Sequence, residues 1–233
     1  MKGYIYSDQL PMFGHKDIIG YGTDDFYIKE MLKKESNNMI IKNHYSHKVA
    51  GFATTYIYLG VYIKNVLLGT LQFGFAMNAA SMDKIVKNTG IYEYLELNRM
   101  WLSDKALRNS ESKAISYCIK YIRKKFPKIK WIQSFADERC GGLGIVYQAA
   151  NFKYFGEHSS IFWQLDNEWY HNKAMTIKDI KKSNKAEKYL QANKEKAKKI
   201  ELRQFRYIYF IYQNVIKNCI LKEQPYLKHY NND

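Results

Sequence analysis

Cysteine is sparse in this chain. Cys118, Cys140 and Cys219 stand far apart with no paired spacing, which excludes a disulfide scaffold and any zinc finger legible in the sequence. Long apolar runs are missing too: no stretch approaches the ~18 uninterrupted apolar residues of a membrane-spanning helix. The opening Met1-Lys-Gly-Tyr-Ile-Tyr-Ser-Asp8 holds no apolar signal core. These absences predict a cytoplasmic protein in reducing surroundings, with no membrane partner. Acidic residues are also few, 22 against 37 Lys and Arg, which leaves a formal net charge of +15.

Such an excess favours an acidic partner, nucleic acid above all. Uniform lysine enrichment is the alternative, and the distribution argues against it. Residues 177 to 233 hold 12 Lys and 2 Arg against 6 acidic residues, so under a quarter of the length carries +8 of the total. The 21 tyrosines can stack on bases, although most belong in a core or on strand surfaces. At 233 residues and 46% hydrophobic content, the chain can bury one good core with a C-terminal appendage.

Patterning fills in the elements. A strand at Tyr4 to Tyr6 lies in an otherwise irregular leader. Asp24-Asp25 is positioned to cap a helix to about Lys34, broken by Asn37-Asn38. Thr54 to Ile63 and Val66 to Phe75 form a hairpin about Lys64-Asn65. Glu93 to Leu102 is a strand. Ser110 to Lys125 repeats apolar residues at helical spacing and ends at Pro127. Ile129 to Asp137 is a strand, Leu143 to Ala150 a short helix, and a further extended run ends at Gly156. This order predicts an α/β domain with a mixed sheet, Ser110–Lys125 making a right-handed crossover between parallel strands. The expected divisions are a leader at 1–39, a catalytic domain at 40–176, and a basic aromatic extension at 177–233 that packs on the domain or grips DNA. Within the extension, Lys178 to Lys199 reads as a solvated helix.

Several residues can carry chemistry. His44-Tyr45-Ser46-His47 gathers two imidazoles, a phenol and a hydroxyl into four positions, suited to proton transfer near neutral pH or to a divalent transition metal; a polar hydrogen-bonded loop is the alternative. Strict alternation sets Leu95, Leu97 and Arg99 on one strand face and Glu96, Asn98 and Met100 on the other. Glu96 is a candidate general base, or else the partner of Arg99 in an edge ion pair. The planar fork of Arg99 suits an anion or a base edge. Arg108, Ser110 and Ser112 open the long helix, where free N–H groups bind phosphate. The preceding Asp104–Asn109 contains no glycine, and an ordinary cap at Asn109 or Ser110 explains the segment equally well. Asp137 ends a parallel strand, where open α/β sheets bind ligands. It can hold a metal, orient a histidine or take a proton.

The strand to Asp137, the turn with Gly141, Gly142 and Gly144, the Tyr147-Gln148-x-x-x-Phe152 helix and the returning strand resemble the C-terminal half of a GNAT acyltransferase. The resemblance implies a GNAT-like mixed sheet whose parallel central strands splay around an acyl-CoA. It also implies a pyrophosphate near Arg108, Ser110 and Ser112, and Tyr147 as acid for the departing thiolate; a purely core tyrosine is the alternative there.

The ordered set of motifs is similar to the Mom family of bacteriophage DNA-modification proteins. Its pieces are His44-Tyr-Ser-His47, Leu95-Glu-Leu-Asn-Arg-Met-Trp101, Arg108-Asn-x-Glu-Ser112, Asp137, Gly144-x-x-Tyr-Gln-Ala-x-Asn-Phe152, His171, Arg206-Tyr-x-Tyr-Phe210 and Pro225-Tyr226. Membership implies addition of a carbamoylmethyl group to N6 of adenine in duplex DNA, shielding phage DNA from host restriction. The protein would be phage or prophage encoded and act in the host cytoplasm. His44, Tyr45, Arg99, Ser112, Asp137 and Tyr147 occupy the family's motif positions. Catalysis is expected from His44, Tyr45, Asp137, Tyr147 and Glu96, and substrate or DNA contact from Arg99, His47 and Arg206. The implied cofactors are acetyl-CoA or a related acyl donor and Fe(II), the latter held by His44 and Asp137. Double-stranded DNA is the expected partner, with the oligomeric state open and a dimer among the options. Two other readings stand beside this one: acetyl transfer to another amine (modified base, RNA, protein lysine or small molecule), and a non-enzymatic nucleic-acid-binding protein on the same scaffold. The DNA-modification reading requires the imidazoles around position 44 and the carboxylate at 137 to share one pocket.

Overall fold

The computed structural model describes residues 2–8, 16–49, 55–177, 181 and 183–228. Ten strands form one sheet: β1 (Gly3–Tyr6), β2 (Ile18–Gly22), β3 (Phe26–Glu30), β4 (Thr55–Ile63), β5 (Val66–Gly74), β6 (Tyr94–Leu102), β7 (Trp131–Asp137), β8 (Lys153–Leu165), β9 (Glu168–His171) and β10 (Lys198–Phe210). The helices are α1 (Lys33–Asn43), α2 (Ser110–Lys125), α3 (Ile145–Ala149), α4 (Asn172–Met175) and α5 (Lys185–Ala192). Spatial order is β1-β2-β3-β4-β5-β6-β7-β10-β8-β9. Among these neighbours β6 and β7 run parallel, joined by the α2 crossover.

The β4–β5 hairpin turns at Lys64 and Asn65, whose φ angles of 49° and 64° match a two-residue turn with the twist of its strands. α2 has the boundaries its periodicity predicts. Its buried Ile115, Cys118 and Ile122 join Leu71 and Phe73 of β5 in the main core. Side chains alternate along β5, so Thr70 and Gln72 face the other way. They meet Ser36 of α1 at 2.7 and 2.9 Å. α1 and α2 therefore cover opposite faces of the sheet.

β6 and β7 pair only at Tyr94–Trp131, Leu95–Ile132 and Glu96–Gln133. Beyond that point both strands continue, but apart. This is the splayed parallel pair of the GNAT-like fold expected from the sequence.

Three local expectations fail. The helix placed over Asp24–Lys34 is instead β3, followed by α1. Phe26 and Ile28 are buried on alternate positions, while Asp24-Asp25 occupy the tip of the β2–β3 turn, closed by Thr23 Oγ1 accepting from Phe26 N–H at 3.1 Å. Burial of the alternating face outweighs the favourable helix ends. Asn37-Asn38 do not break a helix but lie inside α1, where Asn37 accepts from Gln72 at 3.0 Å. Among the described residues of the lysine-dense stretch the α-helix is α5, opened by a capping box between Asn184 and Glu187 and followed by a 3-10 turn at Lys194–Lys196. Residues 178–180 and 182 lie outside the described residues, and by Lys198 the chain is already β10.

That strand changes the architecture. β10 lies between β7 and β8, antiparallel to both, with Phe205, Tyr207, Ile208 and Phe210 buried. Residues 198–210 thus fill the middle of this half of the sheet, and β1 to β3 extend its other edge. The divisions drawn at residues 40 and 177 do not separate pieces of the sheet.

Candidate active site

Where β6 and β7 part, a cleft of about 850 Å³ opens. Gln133, Phe135 and Asp137 of β7 line it, whereas Ala136 between them points into the α2 core. The cleft therefore lies on the sheet face opposite α2. Its further walls come from the loop after α1, from the β8–β9 hairpin and from β10.

Asp137 is buried at the end of β7. Its Oδ1 accepts from the backbone and Nε of Arg139, each at 3.0 Å, and the Arg139 guanidinium also grips Oδ2. The Tyr45 hydroxyl reaches Oδ2 at 3.5 Å. The guanidinium lies 4.2 Å from the Phe162 ring centroid and 5.7 Å from that of Trp169, so aromatic faces hold the ion pair in place. Sequence reasoning missed Arg139. The signal was its place two residues beyond a strand-end aspartate, the spacing of an Asx turn.

His44 is buried against the Tyr45 ring, 4.2 Å between centroids. Its Nδ1 accepts from Ser46 N–H at 3.1 Å, which assigns the proton of the neutral ring to Nε2. Burial first, then the neighbouring Arg99, His47 and Arg139, lower its pKa to about 4, so the His44 imidazole is neutral at pH 7. The loop that carries it meets Asp137 through Tyr45; Tyr45, Ser46, His47 and Asp137 line the cleft, whereas His44 itself lies behind Tyr45 and outside that lining. His47 turns away, its Nδ1 paired with Ile41 O at 2.9 Å, but it still lines the cleft.

Glu96, where the β6–β7 ladder ends, accepts from Gln133 at 2.8 Å and Asn98 at 3.2 Å. Burial raises its pKa above the ordinary carboxylate range. Gln133 in turn accepts from Arg206 at 2.6 Å, and Arg206 stacks over Phe135 at 4.6 Å. The expected opposition of Glu96 and Arg99 across the strand does not hold, since both line the cleft. Gln72 pairs with Arg99 but Phe73 pairs with Leu97, which makes Asn98 the extra residue of a β-bulge and breaks the alternation. Arg99 donates to the carbonyls of Lys48 (2.9 Å) and Asn98 (2.6 Å), clamping the 44–48 loop onto β6.

The remaining residues lie on the α2 face. Arg108, Ser110, Ser112 and Lys113 line a hollow of about 340 Å³ at the start of α2. Asn109, at the cap position, makes no side-chain capping bond. Tyr147 packs between Phe152 and Tyr207 with its hydroxyl against Ser134, which alternates with the cleft-lining residues of β7. Burial raises its pKa. Tyr147 and the α2 hollow are thus across the sheet from His44, Tyr45 and Asp137, and the splay of β6 and β7 opens between the two groups.

Residues 25–228 match the family model of the Mom protein family. The chain belongs to the Mom family. It is 43% identical over 214 residues to the methylcarbamoylase Mom of Escherichia phage Mu, spanning 91% of this chain and 87% of that one. Its fold is similar to that of NAA60 from Arabidopsis thaliana in complex with acetyl-CoA, with a TM-score of 0.50 and 8% identity over 79% of this chain and 99% of the other. Against the same enzyme with a bisubstrate analogue the TM-score is 0.51 at 7% identity, covering 79% and 97%. At such identities the likeness speaks for the fold alone, and that fold is GNAT-like.

The Mom-family site does not fit a resident iron. Asp137 already binds a guanidinium through both oxygens, and His44 Nδ1 is taken by Ser46. Among the described residues no group of three or more His, Cys, Asp or Glu is arranged to hold a metal. No helix among them is long and apolar enough to cross a membrane.

Proposed function

We propose that this Mom protein adds a carbamoylmethyl group to N6 of adenine in duplex DNA, and so protects phage DNA from restriction in the host cytoplasm. The single observation that carries this reading is the meeting of Tyr45, Asp137 and Arg139 in a cleft roomy enough for a purine, opposite a second hollow across the splayed strands. The N6 amine of a paired adenine is held in a Watson–Crick bond, so the base must leave the stack. Once everted it lies against aromatic walls such as Phe135 and Trp169. Asp137 and Glu96 accept from its amino hydrogens. A bond forms from N6 to the methylene carbon of the incoming group as the bond from that carbon to its carrier breaks, and N6 sheds a proton. Glu96 takes that proton, its raised pKa making the ionised form a stronger base, while the neutral His44 fixes Tyr45 against Asp137.

Arg108, Ser110 and Ser112 suit the phosphates of a CoA-type carrier at the uncapped start of α2, and Tyr147, on the same side of the sheet, is the acid for the leaving group in this reading. Such a carrier supplies the activated group. Plain acetyl transfer from acetyl-CoA gives an amide rather than the N–CH₂ linkage, so the donor differs from acetyl-CoA itself. The α2 hollow favours a second reading, acetylation of another amine with acetyl-CoA.

Mass spectrometry of nucleosides from cells expressing the full chain separates the two. The expected result is a modified deoxyadenosine, reduced at least about 100-fold by Asp137→Asn. Unmodified DNA, together with amine acetylation from acetyl-CoA by the purified protein, would establish the second reading instead.

A further inference from the structure

We infer that Met77 is the wedge that enters the duplex when the target base leaves it, an inference that rests on the DNA-modification reading above. Met77 is 69% exposed, among the most exposed large apolar side chains described. Leu32 and Leu107 are comparable at 69% and 77%, yet neither lines the large cleft, and Leu107 belongs to the hollow on the α2 face. Of the exposed large apolar residues, those that reach the cleft are Tyr45 and Met77, and the Tyr45 hydroxyl is already directed at Asp137.

The loop that presents Met77 is braced on both sides. Phe75 O accepts from Asn98 Nδ2 at 3.1 Å, so the bulge in β6 fixes the loop as well as Glu96. Ala76 N–H donates to the Tyr94 hydroxyl at 3.1 Å, and Tyr94 is fully buried, stacked on Trp131 at 5.2 Å. Beyond Met77, Asn78 O accepts from both the backbone and hydroxyl of Ser81. The following 3-10 turn, Ala79–Lys84, is pinned by buried Met82 in a second core shared with Ala76, Val86 and Phe210. The two residues flanking this methionine are thus anchored, while its own side chain packs into neither core.

An apolar side chain held rigidly at the mouth of a polar cleft matches the wedges with which base-unstacking proteins fill a step. Eviction of adenine leaves a gap that closes unless something apolar occupies it. An unbranched thioether can slide between base planes and make favourable contact with aromatic rings. Met77 is a positioning residue on this account, touching the gap and not the reacting amine.

The test uses the purified full chain and duplexes carrying 2-aminopurine at adenine positions, whose fluorescence rises when the base leaves the stack. One duplex is fully paired; in the other the opposing nucleotide is abasic, so no partner competes for the gap. The wild type should raise fluorescence on both. Met77→Ala should lose the rise at least about fivefold on the paired duplex yet keep it on the abasic one, and Met77→Leu, which retains the bulk, should behave as wild type. A Met77→Ala protein equal to wild type on the paired duplex overturns the wedge, as does an equal loss on both duplexes. No rise with the wild type on either duplex would overturn base eversion itself, and the wedge with it. A wild-type rise that survives both substitutions removes the wedge alone.

Discussion

At the scale of single residues, the site is arranged around a buried aspartate whose charge is answered by one arginine. Asp137 has 6% of its side chain exposed and Arg139 has 18%, so neither is well served by water. The carboxylate was legible from its place at a strand end; the guanidinium that answers it left only the spacing of an Asx turn, a signal with no periodicity to draw the eye. His44 offers a test at the same scale. Its folded pKa is about 4 against about 6.5 for an unfolded histidine. The unfolded chain therefore takes up a proton first, so His44 contributes fully above pH 6.5, and this stability is lost as pH falls toward 4. By pH 5 the loss amounts to about 2 kcal/mol. His44→Asn should lose less stability than wild type between pH 7 and 5, by about that amount, in urea unfolding at each pH. Parallel curves for the two proteins would show that another group titrates.

Elements show where pattern succeeds and where it stops. The β4–β5 hairpin and α2 were readable because each is a local rhythm, of period two about a short turn and of period 3.6. The bulge at Asn98 was not readable. One unpaired residue leaves composition unchanged but moves Arg99 to the face that bears Glu96. Gly144 is a case where geometry alone explains the residue: its φ is +73°, and a Cβ there would lie 2.3 Å from the Tyr207 ring. Gly144→Ala should destabilise the fold by about 2–3 kcal/mol, read from thermal or denaturant unfolding, and displace α3 with Tyr147. A change under about 0.5 kcal/mol would mean that α3 relaxes freely around Tyr207.

At the scale of the whole molecule, the basic C-terminal part contains two physically different segments. β10 is core: a chain ended at residue 197 leaves β7 and β8 without their shared neighbour and removes Phe205, Tyr207, Ile208 and Phe210. It should not fold, and circular dichroism with a cooperative melt from that truncation would refute the point. Deletion of 177–233 is consequently no measure of DNA binding. The lysines before β10 are. Lys185, Lys188, Lys194 and Lys196 are exposed on α5 and the turn that follows. If they grip phosphates, changing all four to Gln should flatten the dependence of log Kd on log salt by about 3 to 4, with the fold intact by circular dichroism. An unchanged slope would move the phosphate grip elsewhere.

Sequence by itself determined the local rhythms, the charge asymmetry, the motif order that marks the Mom family, and a loop histidine and strand-end aspartate worth bringing together. Only the tertiary structure decided that β10 is inserted between β7 and β8, that the carboxylate is bound by Arg139 rather than free for a metal, and that the candidate residues divide between two faces of one sheet. The physical reason is range. Periodicity and capping act over a few residues, whereas strand order and the walls around a buried ion pair are set by partners as far apart as Asp137 and Gln204, paired across the sheet, or Asp137 and Tyr45.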